Sequence, residues 1–129
     1  MLKTYLAVML GGAAGTGLRM WLAGVLTARY GEHFPVGVLV VNVLGSFVIG
    51  LFAALTGPEG AAPAPLLLRQ VVMIGVLGGF TTFSSFSLQT LGLLSSGEWT
   101  RALMNIALSF ALCLAAVWLG HVLAVALKQ

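Results

Sequence analysis

Apolar residues dominate four long blocks of the chain, at about 2–28, 36–55, 66–94 and 101–127, and polar residues collect in the short stretches between them. Each block is close to or longer than the roughly 20 residues that a helix needs to cross a bilayer. The first separator, Thr27 to Pro35, carries Arg29, Glu32, His33 and a closing proline, and the second, Thr56 to Pro65, holds three of the chain's four prolines. Both read as loops. The third, Ser95 to Thr100, is shorter and contains Trp99, a residue type favoured at the membrane interface. The pattern predicts an all-α membrane protein, one domain of four transmembrane helices.

The third block differs from the others. As a continuous helix it would be about 43 Å long at ~1.5 Å per residue, against a hydrocarbon core of ~30 Å. At its middle stand Gly75, Gly78 and Gly79, then Thr81, Thr82, Ser84, Ser85 and Ser87 with Phe83 and Phe86 among them. Glycine costs about 1 kcal/mol against alanine in a helix, and hydroxyl side chains compete for the backbone. The third helix is therefore expected to break near its centre, over Gly78 to Thr81. Irregular backbone persists in a bilayer only where protein buries it or where it lines a polar cavity, so 75–87 is a functional candidate.

The other blocks carry sparse polar stripes. Asn42, Ser46 and Gly50 fall on one face of the second helix, and Asn105, Ser109 and Cys113 on one face of the fourth. Two readings of the Asn42 stripe stand: an interhelical hydrogen bond with close packing, or an amide that donates to a passing solute. In the first helix Gly11 and Gly15 form a close-approach pair with Arg19 on the same face. That arginine is either functional or an anchor that snorkels to the interface.

Composition agrees with a bilayer as solvent: 60% hydrophobic and 7% charged residues, with a mean hydropathy of +1.08, exclude an ordinary soluble domain. Lys3 followed by an apolar run has the look of a signal peptide, but the rest of the chain is equally apolar, which favours a first membrane helix. The net charge of +3 is spread along the chain with no basic run, which argues against nucleic acid. Lone Cys113 reads as a packing residue, and His33 and His121 lack partners at metal-ligand spacing.

Charge also bears on topology. Four spans place Lys3, Arg69 and Lys128 on one side, and Arg29, Arg101 and, if it reaches the interface, Arg19 on the other. The count is balanced, so the positive-inside rule selects no orientation. A chain that inserts both ways pairs as an antiparallel, dual-topology homodimer.

The three acidic residues, Glu32, Glu59 and Glu98, all lie in loops. The absence of an intramembrane carboxylate disfavours the alternative reading, a small dual-topology multidrug exporter coupled to protons. The hydroxyls have no general base beside them, so no enzyme is expected. What remains is a set of neutral donors: the Asn42 amide, the hydroxyls of Thr82, Ser84, Ser85 and Ser109, and amides freed at the break. Donors without fixed negative charge suit an anion that must shed water. Phe83 and Phe86, three apart, face one way; they serve either as apolar packing or as ring edges bearing the positive part of the quadrupole toward an anion.

Taken together, Gly11-Gly12-x-x-Gly15-x-x-x-Arg19, Val41-Asn42-x-x-Gly45-Ser46-Phe47-x-x-Gly50 and Gly75-x-x-Gly78-Gly79-x-Thr81-Thr82-Phe83-Ser84-Ser85-Phe86-Ser87 resemble the Fluc (CrcB) fluoride channels. The resemblance covers nearly the whole chain. It implies passive fluoride efflux across the bacterial inner membrane, protecting the cell from fluoride, through two pores in a dual-topology homodimer. It further implies a structural sodium ion at the dimer interface, held by the backbone carbonyls of Gly78 and Thr81. The implied pore residues are Asn42, Thr82, Phe83, Ser84, Ser85, Phe86 and Ser109, with Arg19 in the vestibule. The chain departs from the family pattern at Ser85, where threonine is usual, at Gln89, where glutamate is expected, and at Asn105 and Cys113, where some relatives carry tyrosine and serine.

Overall fold

The computed structural model describes residues 1–129 as helices joined by short turns. In chain order they are α1 (Leu2–Tyr30), α2 (Val36–Thr56), α3 (Leu66–Gln70), a π-helical stretch (Val71–Leu77), α4 (Gly78–Phe80), α5 (Phe83–Ser95) and α6 (Trp99–Lys128). Four units are long and apolar enough to cross a membrane: α1, α2, Leu66–Ser95 and α6. These are the four expected blocks. The differences lie at the ends, where α1 continues through Thr27 to Tyr30 and α6 begins at Trp99.

Backbone-to-backbone contact through glycine holds the spans together, as expected where lipid supplies no hydrophobic drive between helices. A Cβ at Gly11 would stand 2.8 Å from the Val71 carbonyl oxygen, and one at Gly75 would stand 2.7 Å from that of Val8. Gly15 meets the Val76 carbonyl and Gly79 meets that of Gly12. The glycines at the centre of the third span thus seat it on α1. A second seam joins α2 and α6, the most extensive helix contact, where Gly50 lies on the Val117 carbonyl and Gly120 on that of Phe47.

The break in the third span is present, but it falls later than expected. Gly78 to Phe80 are helical, and the extended residues are Thr81 (φ −86°, ψ 157°) and Thr82 (φ −154°, ψ 111°). Gly75 and Gly79 are used for contact with α1 rather than for the break, and Gly78 meets nothing from α1. Thr81 still closes the preceding turn, since its N–H and its hydroxyl both donate to the Leu77 carbonyl at 3.0 Å. The π-helical stretch upstream has no counterpart in the expected pattern. Beyond the break the chain changes partner: the first half of the span packs chiefly on α1, and α5 packs on α6.

Only 19 of 129 residues are buried, so most of the apolar surface faces outward, where lipid or another protein covers it.

Candidate functional site

The break is held by one side chain. Asn42, on α2, donates from Nδ2 to the Thr82 carbonyl at 3.0 Å and accepts from the Thr82 N–H at Oδ1, 2.8 Å. Both backbone groups that Thr82 withdraws from a helix ladder are therefore satisfied by a single amide. Of the two readings left open for Asn42, the interhelical bond is what this chain displays, and one Nδ2 proton remains beyond it.

Thr82 then starts the next helix. Its extended backbone and its Oγ1, which accepts from the Ser85 N–H at 3.1 Å, make it the N-cap of α5. The same oxygen lies 3.2 Å from Ser84 Oγ and 3.1 Å from Ser85 Oγ, so three hydroxyls form one cluster at the helix start. Bonds that an unbroken helix would make are thereby redirected. The amide four residues beyond Gly78 goes to Asn42 and the amide four beyond Thr81 goes to Thr82 Oγ1, which releases the Gly78 and Thr81 carbonyls from those donors.

Beside the break lies a cavity of about 310 Å³. Asn42, Gly45, Ser46 and Ile49 of α2 form one wall; Leu77, Gly78, Thr81, Thr82, Phe83 and Phe86 form the second; Ser109, Phe110, Cys113 and Leu114 of α6 form the third. Every expected pore residue except Ser84 and Ser85 borders it; those two are held at the start of α5 by Thr82. No charged side chain lines it. The two phenylalanines do share this space, with ring centroids 5.3 Å apart at 47°. They differ in exposure: Phe86 is buried and meets Phe110 edge-on at 6.2 Å, whereas Phe83 is 69% exposed.

A buried polar chain backs the cavity. Thr90 Oγ1 donates to the Phe86 carbonyl at 2.8 Å, Asn105 Nδ2 donates to Thr90 Oγ1 at 3.0 Å, and Ser109 Oγ donates to Asn105 Oδ1 at 3.5 Å. Asn105 and Ser109 belong to the stripe visible in the sequence. The sequence pattern does not single out Thr90, although its place four residues after Phe86 and on the α6 side of α5 is a helical-spacing signal.

Arg19 stands apart. It is half-buried on α1, about 16 Å of helix short of the Tyr30 end, makes no ion pair, and does not border the cavity. Gln89 faces a second, polar basin of about 570 Å³ with Glu32, His33, Glu98 and Arg101, and its Oε1 is buried there without a hydrogen-bond partner.

The geometry is that of an uncharged, largely apolar space beside a broken membrane helix, with the Asn42 amide and a few hydroxyls in its wall. The family described as CrcB-like protein, Camphor Resistance (CrcB), matches residues 6–121. The chain belongs to the CrcB-like family. Among its members, a protein of Opitutus terrae named fluoride-specific ion channel FluC is 58% identical over 99% of this chain and 97% of its own length. Proteins of the same name from Rhodospirillum rubrum and Methylocella silvestris are 53% and 54% identical, over 98% and 97% of this chain and 98% and 95% of their own. The matched region spans the α1–π seam, the Asn42–Thr82 bond and the whole cavity.

Proposed function

We propose that this protein is a multi-pass membrane channel that conducts fluoride passively. The observation that carries the reading is the cavity in which Asn42, Thr82, Phe83, Phe86 and Ser109 meet with no charged group among them. Fluoride holds its water tightly, and a pathway of neutral donors replaces part of that shell without trapping the ion as a fixed cation would. Phe83 and Phe86 offer ring edges. With no carboxylate in the cavity, no group there exchanges a proton for a cation.

The working unit in this reading is an antiparallel, dual-topology homodimer in a bacterial inner membrane. Two features support it: the near-even Lys/Arg balance between the two sides, three against two with Arg19 inside α1, and Phe83, which lines the cavity and yet stands largely exposed on a single copy. A second copy against that face would complete the wall. Arg19 would sit in the vestibule, and Ser84 and Ser85 would extend the donor track from the Thr82 cluster. A sodium ion at the dimer centre fits the Gly78 and Thr81 carbonyls, whose helical donors are directed elsewhere, because such oxygens suit a hard monovalent cation. When bound, it would neutralise carbonyl dipoles brought together from two copies.

Reconstitution into liposomes loaded with fluoride, with efflux followed by a fluoride electrode, tests the reading. Rapid efflux without a proton gradient is expected. Absence of fluoride efflux, or proton-driven uptake of a lipophilic cation instead, would overturn it.

A further inference from the structure

Asn105 is 1% exposed and does not border the cavity, yet its bonds set the direction of a proton at the cavity wall. Thr90 has one hydroxyl proton and gives it to the Phe86 carbonyl. Thr90 Oγ1 is then left to accept, and it accepts from Asn105 Nδ2. That fixes the orientation of the Asn105 amide: its NH2 group lies toward Thr90, and its oxygen faces Ser109. An amide oxygen only accepts, so the Ser109 hydroxyl must donate to it. The single Ser109 proton therefore points into the protein, and the cavity meets the lone pairs of that hydroxyl.

The Ser109 to Asn105 contact is 3.5 Å long, beyond the roughly 2.5–3.0 Å of an ordinary O–H···O bond, so it holds the proton only loosely. The other two bonds of the chain, at 2.8 and 3.0 Å, are ordinary. The relay is firm at its Phe86 end and loose at its Ser109 end. An anion in the cavity is a stronger acceptor than an amide oxygen, so it can draw the Ser109 proton outward without disturbing Thr90 or Phe86.

We propose that Asn105 is a positioning residue of the anion pathway: it holds the Ser109 proton away from the empty cavity and competes with the anion for it. The proposal rests on the fluoride reading above. Its consequence is a site that binds an arriving ion and also releases it, because part of the binding energy is spent breaking the Asn105 bond. Conduction requires that balance.

The test is fluoride efflux at graded fluoride concentrations for the unmodified protein, Asn105→Val, Ser109→Ala and the double variant. Asn105→Val frees the Ser109 proton. It is expected to lower the half-saturating fluoride concentration about threefold, the factor set by losing one weak neutral hydrogen bond, and to lower the maximal rate as release slows. In the Ser109→Ala background the same change is expected to shift neither quantity. An undiminished shift in that background would show that Asn105 acts by packing α5 on α6, and would overturn the proposal; so would an unchanged half-saturation in Asn105→Val alone. Thr90→Val, nearly isosteric, loosens the Asn105 amide from its other end and is expected to shift half-saturation the same way, which keeps the test open if Asn105→Val does not reconstitute. If the unmodified protein carries no fluoride, the functional reading fails and the proposal falls with it. If it does and the variants behave otherwise, the proposal alone fails.

Discussion

Asn42 binds both backbone groups of Thr82, at 2.8 and 3.0 Å, so one amide on α2 replaces the two helical bonds that Thr82 gives up. Aspartate at this position keeps the acceptor for the Thr82 N–H but sets a second acceptor against the Thr82 carbonyl and places negative charge beside the cavity. Asn42→Asp is expected to abolish fluoride efflux from liposomes while the protein still assembles, checked by the electrode and by size-exclusion chromatography. Asn42→Leu leaves both groups unpaired and is expected to cost about 2–4 kcal/mol, seen as earlier thermal unfolding in detergent.

The two cavity phenylalanines separate function from stability. Phe83 is largely exposed on the single chain, and Phe86 is buried against Phe110. Phe83→Ile should leave the unfolding temperature near that of the unmodified protein and remove fluoride efflux. Phe86→Ala should cost about 3 kcal/mol in the unfolding measurement before any effect on flux is read. Normal flux in Phe83→Ile would remove that ring from the pathway.

Glycine substitutions test the seams. At Gly50 an added Cβ lies 3.0 Å from the Val117 carbonyl carbon, and at Gly120 one lies 2.8 Å from the Leu51 nitrogen. Backbone cannot yield as a side-chain end can, so alanine at either site is expected to cost about 1–3 kcal/mol. Gly24 has open space around it in a single copy. Gly24→Ala should be neutral or stabilising by up to ~1 kcal/mol, and a loss there would place another chain's backbone against α1.

Balanced charge makes orientation easy to bias. Ala61→Lys with Ala62→Lys, in the loop after α2, is expected to fix one orientation and suppress efflux. Co-expression with a copy biased oppositely by Ser95→Lys and Ser96→Lys should restore it. Full flux from either biased copy alone would exclude the antiparallel pair.

Sodium dependence can be read without changing the chain. Purification with N-methylglucamine in place of sodium is expected to lower both thermal stability and flux, and sodium should restore them. Indifference to the exchange would leave the Gly78 and Thr81 carbonyls without a cation.

The four spans were legible because a bilayer imposes length and apolarity on every spanning helix, and the stripes Asn42-Ser46-Gly50 and Asn105-Ser109-Cys113 were legible because helical spacing aligns them. The position of the break was not. Glycine content pointed to Gly78–Thr81, but both glycines are helical, and Gly79 answers α1, where the Gly12 backbone leaves no room for a side chain. The break settles at Thr81 and Thr82 because Asn42, forty residues away in sequence, reaches Thr82, and because Thr82 caps α5. Local propensity contains neither fact. Arg19 makes no ion pair within a single copy, and helical spacing alone does not say what an unpaired arginine faces.

The π-helical stretch Val71–Leu77 acts as a phase shifter. A wide turn takes up one residue more than an α-turn, which rotates everything downstream by about 100°, the angular step of one residue. The stretch lies between Gln70 and Gly78, so it sets the azimuth at which the later part of the span meets both α1 and the cavity. Inserting one alanine between Leu77 and Gly78, beyond the wide turn, would act like turning a screw by one step: Gly79 would leave its groove on α1, and Thr82 would leave the reach of Asn42. Such an insertion is expected to abolish flux even though it removes no cavity residue, and full efflux from it would show that the angle is set elsewhere.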